Sequence, residues 1–137
     1  MRPLACVLVC FAMGCFPYRE TMRPMTDGIV VDRAGKPVGG AYVESCSATH
    51  WNAGCRYRAW QYTDSRGHFH LDARREWAMC CLGEAPLPHT IIAACGKDDT
   101  MTSVRVTGKA SVTPTLVLGG EAPESWVRET CKLAFEP

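Results

Sequence analysis

Apolar and polar residues alternate along much of the chain, which is the pattern of β-strands with one buried face. Residues 68–72 show it most clearly, because Phe69 and Leu71 alternate with two histidines and an aspartate. Other apolar runs are short and are separated by turn residues, at spacings of about 8–12 residues. This pattern predicts an all-β domain, a β-sandwich of about seven strands.

The predicted strands lie between residues 27 and 120. They are residues 28–31, 41–44, 59–63, 68–72, 91–95, 103–107 and 112–118. The sequence Asp64-Ser65-Arg66-Gly67 is typical of a turn, with Gly67 at a position of positive φ. Pro114 favours an edge position for the last strand, because proline cannot donate a backbone hydrogen bond.

Three segments have weaker patterns. Residues 47–58 are rich in small and polar side chains and are predicted to form a loop. Residues 74–82 suit either a short helix or a strand. Residues 125–132 predict a short C-terminal helix, held back by Cys131.

The N-terminus follows a different pattern. After Arg2, residues 4–13 form an uncharged and mostly apolar run, which matches the apolar region of about 7–15 residues in secretory signal peptides. A membrane-spanning helix would need about 20 such residues. The sequence therefore predicts an exported chain.

The end of this run, Ala12-Met13-Gly14-Cys15, resembles the lipobox of bacterial lipoproteins, although Ala12 and Met13 depart from its usual residues. The resemblance implies that Cys15 carries lipid and becomes the first residue after cleavage. The alternative is an ordinary signal peptide with an incidental cysteine. By analogy with enterobacterial sorting, Phe16 rather than aspartate after the cysteine suggests the outer membrane, with the domain in the periplasm or at the cell surface.

These patterns divide the chain into four parts. They are a signal peptide (1–14), a tether without periodicity (15–26), the sandwich (27–120) and a C-terminal extension (121–137).

Nine cysteines are present, and two of them, Cys6 and Cys10, fall in the signal peptide. With Cys15 set aside as the lipid site, an even number remains, which predicts a disulfide framework in an exported protein. The candidates are Cys46, Cys55, Cys80, Cys81, Cys95 and Cys131. Their spacing leaves the connectivity open.

Charge adds an exclusion. The net charge is +1, and acidic and basic residues are interspersed. Nucleic-acid binding usually needs a clustered basic face, so this composition excludes nucleic acid as an expected partner.

Several segments together resemble carboxypeptidase regulatory-like domains. They are residues 28–32, 35–43, 62–71 and 91–96, although Cys95 departs from the residues usual there. The resemblance implies a transthyretin-like (prealbumin-type) sandwich that serves as a noncatalytic accessory module without a cofactor. The same fold hosts 5-hydroxyisourate hydrolase, whose chain ends in Tyr-Arg-Gly-Ser, a motif that residues 131–137 lack.

Two groups of side chains are candidates for binding. The aromatic residues Trp51 and Tyr57 lie in the predicted loop and are expected to contact a partner, whereas Trp60 and Tyr62 are expected to pack on the sheet. No metal site is expected; a weak alternative places zinc or copper on His68 and His70, which share a strand face.

The sequence thus predicts a noncatalytic envelope lipoprotein, anchored in a membrane by lipid, that binds or scaffolds an envelope protein. The alternative is a periplasmic metal-handling protein or a small enzyme that uses the surface histidines.

Overall fold

The computed structural model describes residues 16–49, 52–80, 89–108, 111–119 and 125–136. These residues form ten strands and one helix. They are β1 (Phe16–Arg23), β2 (Met25–Val31), β3 (Tyr42–Thr49), β4 (Asn52–Tyr62), β5 (His68–Leu71), β6 (Arg74–Cys80), β7 (His89–Cys95), β8 (Met101–Thr107), β9 (Ser111–Val112), β10 (Thr115–Val117) and α1 (Ser125–Ala134).

Two four-stranded sheets enclose the core. One has the order β10-β2-β5, with β9 also paired to β2, and the other has the order β4-β3-β7-β8. Each strand points alternate side chains toward the opposite sheet. The buried cluster between the sheets draws residues from both: Val30, Ala41, Val43, Phe69, Leu71, Ile92, Ala94, Leu116 and Leu118.

The helix covers part of the outer face of the second sheet. Val127 of α1 is fully buried, and a disulfide joins Cys131 of the helix to Cys95 of β7. A second disulfide joins Cys46 of β3 to Cys55 of β4. The predictions of a mostly β protein, disulfide bonds and a short C-terminal helix held by Cys131 are therefore confirmed.

The turn prediction at residues 64–67 is also confirmed. The Gly67 amide donates to the Asp64 carbonyl at 3.0 Å, and Gly67 has a φ of 77°. A Cβ at this position would lie 2.6 Å from the Val30 carbonyl oxygen, so both conformation and space require glycine.

One segment differs from its prediction, and for another the structure selects one of two alternatives. Residues 47–49 and 52–58, expected in a loop, continue β3 and β4 as a long antiparallel pair with register shifts near Cys46. Polar residues satisfy a ladder as well as apolar ones do, because the ladder uses backbone groups. For residues 74–80, where the sequence suits a helix or a strand, the structure has a strand.

Pro114 separates β9 from β10, both of which flank β2 at the edge of the first sheet.

The predicted tether is the largest difference. Residues 16–23 form β1, which pairs antiparallel with β6 in a separate two-stranded ribbon, and residues 25–26 already belong to β2. The segment needs no apolar period, because β1 lies outside the two sheets that enclose the core and contributes no residue to the buried cluster. Pro17 is tolerated there because β1 has a strand on only one side.

Arg23 fixes the ribbon to the sandwich. This side chain is 8% exposed and donates to the Asp72 carbonyl at 2.9 and 3.2 Å and to the Tyr57 carbonyl at 2.5 Å. Burial is the main cause that lowers its pKa, followed by the neighbouring Arg74. The charge is thus held by backbone dipoles of β4 and of the β5–β6 connection.

Several predictions fall outside the described residues. They concern the signal peptide, the lipid site Cys15, the contact residue Trp51 and the thiol of Cys81. Among the residues that are described, no helix combines the length and apolar character that crossing a bilayer requires.

The two disulfides should differ in their contribution to stability. Cys95–Cys131 spans 36 residues and Cys46–Cys55 spans 9, so the longer loop restricts the unfolded chain more. Replacing Cys95 and Cys131 by alanine should lower the free energy of unfolding by about 1 kcal/mol more than replacing Cys46 and Cys55. Urea unfolding of the two double variants measures this, and an equal or reversed cost would contradict it.

Candidate functional site

An exposed aromatic cluster lies on the outer face of the second sheet. The register places Tyr42 of β3 opposite Tyr62 of β4, with Trp60 two residues before Tyr62. The Tyr42 and Trp60 rings stack at a centroid distance of 5.9 Å, and Tyr62 meets them edge-on at 5.4 and 6.0 Å. We call Tyr42, Trp60 and Tyr62 the aromatic face.

The expectation that Trp60 and Tyr62 pack on the sheet as core residues is wrong. Trp60 is 61% exposed and Tyr62 is 42% exposed. Ala59 packs against the core, so strand alternation turns its neighbour Trp60 outward. Aromatic residues at alternate positions show that one face is apolar, but they do not show which face meets the other sheet.

A buried carboxylate lies under the aromatic face. Glu44 is 2% exposed, and its Oε1 accepts a hydrogen bond from Arg58 Nε in an ion pair. Its Oε2 accepts from the Tyr42 hydroxyl at 2.9 Å. The sequence pattern predicts that Glu44 lies on the polar face of a half-buried strand. It does not predict that Glu44 is buried, because the helix residues that border it come from the far end of the chain.

This network changes the acid–base properties of its members. Burial, followed by the hydrogen bond to Glu44, raises the pKa of the Tyr42 phenol. The hydrogen bond to Glu44 also raises the pKa of Arg58, which therefore stays charged. The hydrogen bonds to Glu44 hold the Tyr42 hydroxyl and the Arg58 guanidinium in fixed positions at the surface.

The end of α1 forms the other wall of a shallow groove. The Tyr62 hydroxyl donates to the Ala134 carbonyl at 2.8 Å, and the Phe135 ring meets Tyr62 edge-on at 6.1 Å. Leu133 adds an exposed apolar side chain, and Arg58 Nη2 donates to the Thr130 hydroxyl at 3.4 Å. The groove has a volume of about 310 Å³.

Tyr57, the contact candidate among the described residues, is half-buried between β4 and the ribbon. It has a φ of 53° within the irregular part of β4, and its hydroxyl donates to Glu76 Oε2 of β6 at 2.9 Å. This hydrogen bond is the first cause that raises the pKa of Tyr57. Together with the Arg23 contact to its carbonyl, it joins the ribbon to β4.

His68 and His70 lie on the outer face of the first sheet, as predicted for one strand face. His70 is hydrogen-bonded through both ring nitrogens: its Nδ1 lies 2.5 Å from Asp27 Oδ1 and its Nε2 lies 2.9 Å from Asp72 Oδ1. These two hydrogen bonds, Asp27 first, raise the pKa of His70. Within the described residues, no three His, Cys, Asp or Glu side chains are grouped so as to hold a metal ion.

Comparison with known proteins adds no relative. No protein-family model matches the chain, and no curated protein matches its sequence.

Arg58 should stabilise the fold through Glu44. Arg58→Met would leave a carboxylate that is 2% exposed with only the Tyr42 hydroxyl as donor. We expect a loss of about 1–3 kcal/mol in the free energy of unfolding, reduced from the value for fully buried pairs because Arg58 itself is half exposed.

Arg56→Met is the matched control, because Arg56 is an exposed arginine on the same strand. It should change stability by no more than about 0.5 kcal/mol. Equal stability of the two variants in urea unfolding would show that the pair contributes nothing.

The Asp27–His70–Asp72 network should make stability depend on pH. Because the pKa of His70 is raised in the folded state, its contribution is fully present below the unfolded value of about 6.5. It is lost as pH rises through the folded pKa. His70→Gln should therefore be less stable than the natural protein near pH 6, and this difference should narrow as pH rises.

Urea unfolding at a series of pH values measures this difference. His68→Gln, on the same strand face, separates the network from the general effect of removing a histidine. A His70→Gln difference that stays constant or widens with rising pH would rule out the network as its source.

Proposed function

We propose that this protein is a noncatalytic lipoprotein of the bacterial cell envelope, whose β-sandwich binds or scaffolds another envelope protein at the membrane surface. The observation that carries the proposal is the aromatic face. A rigid, solvent-exposed group of one tryptophan and two tyrosines on a sheet has the composition that dominates binding energy at protein interfaces.

The surroundings of the aromatic face support a binding role. Its rings are fixed in advance by the sheet register, by the Glu44–Arg58 pair and by the Tyr62 contact with the helix end. Fixed side chains lose little conformational entropy when a partner binds, so more of the contact energy is kept as affinity. Arg58 adds a half-exposed cation beside the rings, which suits a partner with an acceptor group at that point.

The hydrogen-bonding of the groove supports a noncatalytic role. Glu44 is the one carboxylate among the described residues that line the groove, and its two oxygens already accept from Arg58 and Tyr42. An acid–base catalyst needs a group that is poised toward a substrate. The histidine alternative has less support, since Asp27 and Asp72 occupy both ring nitrogens of His70.

We also propose that the fold is a transthyretin-like sandwich. The segments that resemble carboxypeptidase regulatory-like domains supply core residues of both sheets, such as Val30, Val43, Phe69 and Ile92. Two sheets with a shared core are what a transthyretin-like sandwich requires. The lipid anchor at Cys15 would then hold this sandwich at the outer membrane.

Partner binding should depend on Trp60. In affinity capture of native protein from solubilised envelopes, Trp60→Ala should reduce recovery of a stoichiometric protein partner at least tenfold, as the loss of a tryptophan hot spot does. Trp77→Ala removes a tryptophan from another surface, where it is even more exposed than Trp60, and should leave recovery unchanged. Equal recovery with natural protein and Trp60→Ala would exclude the aromatic face as the binding site.

Lipid attachment is tested separately. Cells grown with labelled palmitate should incorporate the label into the natural protein, and Cys15→Ser should abolish it because the acylated thiol is gone. Cys10→Ser, which alters a cysteine inside the apolar run, should retain the label. Label that persists in Cys15→Ser would place the modification elsewhere.

A further inference from the structure

The β1–β6 ribbon has an inner face that is hydrogen-bonded to the body of the protein and an outer face whose arginine and tryptophan side chains are exposed. The first is held by the Tyr57–Glu76 hydrogen bond and by Arg23. The register places Arg19 opposite Trp77 and Thr21 opposite Arg75, so these side chains share the other face. We call Arg19, Arg75 and Trp77 the outer ribbon face.

The outer ribbon face is both aromatic and positively charged. Trp77 is 71% exposed, and the Arg19 guanidinium carbon lies 5.8 Å from its ring centroid. The acidic residues of the ribbon, Glu20 and Glu76, lie opposite each other on the inner face. The two arginines of the outer ribbon face therefore have no carboxylate beside them on that face.

The arginines also line a common depression. Arg19, Arg74 and Arg75 border a surface cavity of about 570 Å³, together with Met25 and Ser111. Arg74 is bound to Glu76 at 3.0 Å, so its charge is partly neutralised. Arg19 and Arg75 form no ion pair among the described residues and remain able to bind an anion.

The position of the ribbon in the chain suggests which anion. β1 begins at Phe16, the residue after the proposed lipid site. Four peptide bonds join Cys15 to Arg19, so their Cα atoms can be at most about 14 Å apart. The segment that was predicted to be a tether is paired with β6 and held by the Arg23 contacts. A lipid anchor on Cys15 would therefore keep the ribbon close to the membrane.

We propose that the outer ribbon face lies on the membrane surface and binds the phosphate groups of anionic phospholipids. Trp77 lies among the headgroups, where its amphipathic ring is favoured, and Arg19 and Arg75 bind phosphate oxygens. This inference rests on the proposed lipid anchor at Cys15, since the anchor brings the face to the bilayer. It orients the sandwich on the membrane by a second contact.

The test uses the full-length protein made with its own leader, purified and reconstituted in phosphatidylcholine vesicles with or without phosphatidylglycerol. Brominated phospholipids in these vesicles quench tryptophans that lie at the bilayer. We expect quenching that is stronger with phosphatidylglycerol, that weakens with added salt and that is lost in Trp77→Phe. The matched control Trp60→Phe should keep it.

The arginines are tested in the same vesicles. Each basic residue near an anionic surface contributes about fivefold to binding, so Arg19→Gln/Arg75→Gln should reduce the phosphatidylglycerol-dependent interaction about 30-fold. All these side chains are at the surface, and urea unfolding checks that the variants remain folded. Quenching unchanged by Trp77→Phe, or by the double arginine variant, would overturn the inference.

Failure of the lipid anchor is distinguished by intact mass in the same preparation. If the protein carries no acyl chains, the lipoprotein proposal fails, and the outer ribbon face is then tested by sedimentation with the same vesicles. Binding that requires phosphatidylglycerol and is lost in Arg19→Gln/Arg75→Gln would still support the face. Absence of such binding would overturn it.

Discussion

The apolar contact between the two four-stranded sheets is the interaction on which the other features depend. Val43, Phe69 and Ile92 are almost fully buried there, and burial of each large apolar side chain contributes about 1.5–3 kcal/mol. Because side chains alternate along a strand, fixing Val43 inward turns Tyr42 and Glu44 outward. The core therefore determines which residues form the candidate binding surface.

Buried polar groups then fix the surface elements to this core. Glu44, beneath the aromatic face, positions Tyr42 and Arg58 through hydrogen bonds. Arg23 attaches the ribbon through backbone carbonyls of Asp72 and Tyr57. Each buried charge is compensated by hydrogen bonds, as burial requires. The hydrogen bonds of Glu44 and Arg23 fix the positions of the aromatic face and of the ribbon relative to the core.

Local patterns predicted those features that depend on neighbours in the chain. The strand at 68–71 and the turn at Gly67 follow from alternation and from a residue that accepts positive φ, and both are present. The strand over 16–23 could not be predicted in this way, because its partner β6 begins some fifty residues later. Its side chains show little apolar alternation, since β1 contributes no residue to the core between the two larger sheets.

The candidate site was harder to predict than the fold. Trp60 and Tyr62 were assigned to the core, because an alternating aromatic pattern does not distinguish the face that meets a sheet from the face that meets solvent. The helix that walls the groove comes from the far end of the chain, so the burial of Glu44 could not be read locally. The pairing of Cys95 with Cys131 likewise depends on where that helix docks.

We propose different roles for the two exposed surfaces: the aromatic face binds a protein and the outer ribbon face lies on a membrane. Photo-cross-linking in living cells, with a photoreactive amino acid in place of Trp60 or Trp77, tests this division most directly. We expect a discrete protein adduct from position 60 and phospholipid adducts from position 77. Protein adducts from position 77 with none from position 60 would contradict the assignment of the two surfaces.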